Sequence, residues 1–160
     1  MEPNEKPLHP NALRVSAAGL DLIRRFEGFS ESVYLCPAGK PTIGYGHVLR
    51  PGEAFPEPIS QADATDILAE DCRTVEIFIN ANVRVPLAQH EFDALVCFVY
   101  NIGVGAFDRS TLLRFLNMGE RAAVVNEFLR WNKVQGAPME GLTRRRMAEA
   151  KMFLGEGSKG

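Results

Sequence analysis

Residues 94–100, Ala-Leu-Val-Cys-Phe-Val-Tyr, constrain the fold more than any other stretch. In helical geometry this run is apolar on every side, so it is stable in water only when other elements surround it. The expectation is a central, buried helix opening at Pro86 and running to about Asn101. The chain supplies partners for it. Over residues 16–27, Leu20, Ile23 and Glu27 recur at i, i+3 and i+7, with Leu22 and Phe26 flanking, Ser16 as N-cap and Gly28 as the stop. Ser60, with Asp63 three residues on, opens a second helix. Its stripe of Ala64, Ile67, Leu68, Cys72, Val75, Phe78 and Ile79 runs to about Asn80, roughly 30 Å at 1.5 Å per residue. Shorter helices are expected over 112–116 and 120–129, and a last one from Leu142 to about Leu154. Gly136, Pro138 and Gly141 predict a loop over 132–141. Trp131, the single tryptophan, is expected to pack rather than to stack on a ligand.

At 160 residues with 46% apolar and 24% charged side chains, this is one soluble domain with enough chain for a core. A net charge of −2 excludes nucleic-acid binding by bulk electrostatics, while leaving room for a local basic groove. Cys36, Cys72 and Cys97 are an odd set without C-x-x-C spacing, so free thiols are expected rather than a disulfide framework. His9, His47 and His90 are too scattered to suggest a metal, and no cofactor is implied. No run of 18 apolar residues exists to enter a membrane. The opening MEPNEKPLHPN is polar and proline-rich, unlike an export signal. Residues 1–15 read as an extended, mobile arm.

The chemistry concentrates in residues 26–47, FEGFSESVYLCPAGKPTIGYGH. Glu27 ends an amphipathic helix on its apolar stripe. Partial burial and the negative end of the helix dipole both favour a protonated carboxyl, which suits a general acid. Extended runs over 32–36 and 41–45 flank the turn Pro37-Ala38-Gly39-Lys40, predicting a hairpin that lines one wall of a cleft. Glu27, Cys36 and Thr42 are then placed to face that cleft.

These residues resemble the motif of the phage-type lysozymes of glycoside hydrolase family 24. Glu27 is followed after eight residues by Cys36 and after five more by Thr42, with Ile43-Gly44-Tyr45-Gly46-His47 adjoining. Tyr34 and Gly39 also match. Residues 101–112, from Asn101 through Ser110-Thr111-Leu112, resemble the family's second recognisable stretch, with Asn101 as a structural hydrogen-bonder and Ser110 or Thr111 as a cap. Gly141-Leu142 with Arg145, Arg146 and Glu149 resembles a third.

The resemblance implies a mainly helical α+β fold with a small hairpin sheet. Its two lobes would be residues 16–59 and 82–155, joined by a linking helix over 60–81. It implies hydrolysis of the β-1,4 bond between N-acetylmuramic acid and N-acetylglucosamine in peptidoglycan. Glu27 would be the acid, with Cys36 and Thr42 placing a water on the opposite sugar face. Tyr34, Gly44, His47 and Asn101 would support or bind, and one arginine of the 144–146 run, Arg145, would reach Glu27. Cys36 stands where the family usually has Asp. A thiol is mostly neutral at pH 7, so it either orients the water or stabilises charge as a partial thiolate, or has little direct role. Two other readings remain open: a lytic transglycosylase using Glu27 alone, and a non-catalytic wall-binding module. The implied protein is a monomer, made in the bacterial cytoplasm and acting on peptidoglycan after another agent opens the membrane.

Overall fold

A computed structural model describes residues 10–156. The elements in order are α1 (Ala17–Glu27), β1 (Ser30–Leu35), β2 (Pro41–Gly44), β3 (His47–Val48), α2 (Gln61–Asn82), α3 (Gln89–Ile102), α4 (Val104–Asp108), α5 (Thr111–Asn117), α6 (Arg121–Leu129), β4 (Lys133–Val134), β5 (Ala137–Pro138) and α7 (Glu140–Phe153). The architecture is mainly helical with a small antiparallel sheet.

The apolar run is the axis of the molecule. In α3, every residue from Phe92 to Val99 is buried, and α1, α2, α4 and α7 pack around it. Phe98 is the aromatic hub, in edge-on contact with Phe107, Phe128 and Trp131 at ring-centroid distances of 6.5, 5.1 and 5.9 Å. The helix starts three residues later than Pro86 because side chains take the preceding backbone. Arg121 Nη2 donates to the Pro86 carbonyl at 2.6 Å, and the Leu87 N–H donates to Asn11 Oδ1 at 2.9 Å.

α1 packs on α3 rather than on the sheet, which differs from the expected grouping of residues 16–59. The contact is close because Gly19 faces Asp93: a Cβ there would lie 2.9 Å from the Asp93 carboxyl carbon. Ser16 sits at the N-cap position without capping through its side chain. Its hydroxyl and its N–H both bind Asp93 instead.

The arm reading fails for residues 11–15; residues 1–9 lie outside the described residues. Asn11 is buried and donates to the Val85 carbonyl at 2.9 Å. Asn80 clasps the Leu13 backbone from both sides. Buried Glu76 of α2 accepts the Val15 N–H at 2.7 Å and pairs with Arg14 and Arg73. Polar side chains, Asn11, Glu76 and Asn80, are the anchors of this segment.

The sheet has order β1-β2-β3, with Tyr34 opposite Thr42 and Ile43 opposite His47. A third short strand thus extends the expected hairpin. Gly44 has φ +67° and lies against α2, where a Cβ would sit 3.3 Å from the Ala64 Cβ. α2 begins where expected, with Ser60 Oγ accepting the Asp63 N–H at 3.0 Å. Ser110, not Thr111, caps α5, accepting the Leu113 N–H at 3.1 Å. The expected loop at 132–141 holds a second hairpin, β4 against β5. Gln135 and Gly136 between them both have positive φ, as the type I′ two-residue hairpin turn requires. Among the described residues no helix is long and apolar enough to cross a membrane.

Candidate active site

Glu27 is the last residue of α1, which stops there because Gly28 takes φ +73° and its N–H returns to the Arg24 carbonyl. The Glu27 side chain is about one-fifth exposed. It borders two depressions. The larger, about 690 Å³, is walled by Phe26 and Arg25 of α1, by Val134 and Met139, and by Leu142, Arg144 and Arg145 of α7. The smaller, about 430 Å³, is polar and includes Gly46, His47, Asp71 and Tyr100. Asn101 lines both.

The two oxygens of Glu27 have different surroundings. Arg145 Nη1 donates to Oε1 at 2.7 Å, a charge-assisted bond linking residues 118 apart. Oε2 faces Gly46, where a Cβ would stand only 3.1 Å away. The glycine, at φ +84°, leaves that oxygen room. Arg145 is itself fixed on three sides. Its Nη2 donates to the Cys97 carbonyl at 3.1 Å, its Nε to Glu149 at 3.3 Å, and its guanidinium lies 5.8 Å from the Phe26 ring centre. Beneath it, fully buried Arg146 lies over the Phe98 ring and donates to Asn101 Oδ1 at 2.8 Å and to Glu149 Oε2 at 3.2 Å. Arg146 Nε is also 2.7 Å from Glu149 Oε1, an ion-pair contact without hydrogen-bond alignment. Burial raises the Glu149 carboxyl above its ordinary value against the pull of Arg146 and Arg145. This network ties α7 to α3 and delivers one guanidinium to Glu27.

Cys36 and Thr42 form a separate pair on the sheet. Thr42 is buried, and its hydroxyl donates to the Lys40 carbonyl at 2.9 Å. Cys36 is half-buried at the end of β1, its backbone closed over the turn by the Cys36 N–H to the Lys40 carbonyl at 3.0 Å. Hydrogen bonding from the Lys40 backbone is the largest influence on its thiol. With the Ala38 backbone, the Thr42 hydroxyl and the Lys40 charge, it outweighs partial burial and draws the thiol below its ordinary value. Neither Cys36 nor Thr42 lines the two depressions that hold Glu27. Tyr34 is exposed beside them on β1.

His47 has a role that its position in the motif did not reveal. It is buried and bridges two carboxylates: Nδ1 to Asp71 of α2 and Nε2 to Glu53 of the following loop, each at 2.7 Å. Burial opposes its charge, but the bonds to Glu53 and Asp71 prevail and raise its pKa above 6.5. Tyr100 Oη donates to the Tyr45 carbonyl at 3.1 Å, fastening the glycine-rich turn to α3. Among the described residues no three His, Cys, Asp or Glu side chains converge as a metal site.

This arrangement has relatives. The phage lysozyme family matches residues 24–149. An endolysin of Acyrthosiphon pisum secondary endosymbiont phage 1 is 41% identical over 147 residues, covering 88% of this chain and 98% of that protein. The solved endolysin from Escherichia coli O157:H7 phage FAHEc1 superposes with a TM-score of 0.82 at 35% identity, covering 90% of this chain and 95% of that one. The muramidase domain of SpmX from Asticaccaulis excentricus gives 0.81 at 34% identity, over 88% and 97%. With its motif, its helical body and its small sheet all accounted for, the chain belongs to the phage lysozyme family.

Proposed function

We propose that this protein is a peptidoglycan hydrolase that lyses bacterial cell walls, cutting the β-1,4 bond between N-acetylmuramic acid and N-acetylglucosamine. The observation that carries this reading is the asymmetric setting of Glu27. Arg145 occupies Oε1 and fixes the plane of the carboxyl, while Gly46 leaves Oε2 open beside the cleft. A general acid needs one oxygen free to hand its proton to the departing sugar oxygen, and a fixed carboxyl plane aims it. Arg145 is a positioning residue in this account, and the Arg146–Glu149 pair positions Arg145.

The water that completes hydrolysis would be held by Thr42 and Cys36. Their adjacency and the lowered thiol support this role. The placement of Glu27 on the helical body and of this pair on the sheet suits a substrate lying between two lobes. We draw the lobes as the sheet with its loop to residue 59, and the helical body including α1, with α2 touching both. The protein acts as a monomer on the wall, reached after the inner membrane has been permeabilised.

Glu27→Gln keeps the shape and hydrogen-bonding capacity of the side chain but has no acidic proton. We expect it to fold, by circular dichroism, and to clear permeabilised bacteria at least about a hundredfold more slowly, the usual span for a lost general acid. Clearing at the wild-type rate by the folded variant would remove Glu27 from the reaction.

A further inference from the structure

Beside the cleft at Glu27 lies a second groove. Arg25 and Arg144 line the 690 Å³ cleft and also this groove, of about 330 Å³, which is formed by residues of α1 and α7. Leu22, Met147, Met152 and Lys151 also line this groove. The α7 residues Arg144, Met147 and Lys151 follow at i, i+3 and i+7, so one face of the helix forms the wall. Arg145 turns the other way, to Glu27. No acidic residue lines the groove. Arg144 has an exposed partner in Glu140, and Arg25 lies over the Phe26 ring. Arg25 and Lys151 have no acidic partner among the described residues. On a chain of net charge −2, three cations around a partly apolar groove adjoining the cleft are a local exception.

We propose that this groove between α1 and α7 receives the peptide stem of the wall polymer, with Arg25, Arg144 and Lys151 facing its carboxylates. The inference rests on the hydrolase reading above. In that polymer the muramic sugar carries, on its lactyl ether, a short peptide with free carboxylates. A cleft that holds the muramic glycosidic bond must let this branch leave nearby. The groove offers the adjoining exit, cations for the carboxylates, and methionine and leucine side chains for the peptide's methyl groups. Solvent-exposed charge pairs of this kind are individually weak, so Lys151 is expected to contribute about a two- to fivefold preference.

The test compares two substrates: intact glycan strands bearing peptides, and the same strands stripped of peptides by an amidase. For the wild-type protein, KM should be lower on the peptide-bearing strands, and the advantage should shrink as ionic strength rises through about 0.15 M. Lys151 is exposed on α7, so its variants should fold. The ratio of the two KM values should fall about two- to fivefold in Lys151→Gln and be retained in Lys151→Arg. Equal KM on both substrates for the wild-type protein, or an unchanged ratio in Lys151→Gln, overturns the groove proposal alone. Failure of the wild-type protein to cleave either polymer overturns the hydrolase reading and this inference with it.

Discussion

At the scale of single residues, the three cysteines separate cleanly by environment. Burial pushes Cys72 up to about 12, with Glu76 and Asp71 adding to it, and pushes Cys97 well above 9.0, next to Glu149. Cys36 moves the other way, led by the Lys40 backbone. Thiolates are the reactive form, so Cys36 should alkylate first, and wall fragments should slow the reaction if it faces the substrate. If its thiolate helps hold the water, Cys36→Ser should lose much of the activity and Cys36→Asp should retain it. Full activity in Cys36→Ala would remove the residue from the mechanism. The spacing of Glu27, Cys36 and Thr42 was legible because it lies within one short stretch. Arg145 was legible only through the resemblance, since a run of three arginines looks like a solvated face. The structure instead buries Arg145 and Arg146 and leaves Arg144 outside. The partners of His47 and the anchoring role of Glu76 carried no local signal. His47 with Asp71, and Glu76 with Arg14 and Val15, pair across the fold, and helical periodicity records burial of apolar groups only.

Between elements, His47 is the clasp. It joins β3 to α2 through Asp71 and to the loop before α2 through Glu53. Because its folded pKa lies above its ordinary 6.5, its contribution to stability is complete below that value and is lost as pH rises through the folded pKa. Asp71 has the same sign: burial raises it, so its ionisation costs stability as pH rises. Glu53 has the opposite sign, its pKa lowered chiefly by the Arg50 backbone, and its contribution falls away only in acid. The melting temperature should therefore fall between pH 6 and pH 8 by more in the wild-type protein than in His47→Gln. Parallel melting curves for the two proteins over that range would contradict this. The long helices were readable from their stripes, α2 most clearly. The β4–β5 hairpin was not, because its Gln-Gly turn lacks the Asn or Asp that usually announces one, and its strands are two residues each. β3 is equally short and gains its place by pairing with β2 and by the bonds of His47.

The whole molecule divides the proposed chemistry between two parts. A helical body wrapped around α3 fixes Glu27 and Arg145, and a small sheet carries Cys36 and Thr42. The central helix was legible from its unbroken apolarity. The packing of α1 with that helix was not, because it depends on Gly19 meeting Asp93, a contact no pattern within α1 announces. The same division separates two outcomes. An acid with a positioned water yields hydrolysis, whereas an acid alone lets the muramic 6-hydroxyl close on its own ring. The most direct measurement is mass spectrometry of the fragments released from purified peptidoglycan. Hydrolysis as proposed gives reducing N-acetylmuramic acid ends, each heavier than the corresponding anhydro product by one water, with the signal lost in Glu27→Gln. Fragments ending in 1,6-anhydro-muramic acid, or reducing ends on N-acetylglucosamine, would contradict it.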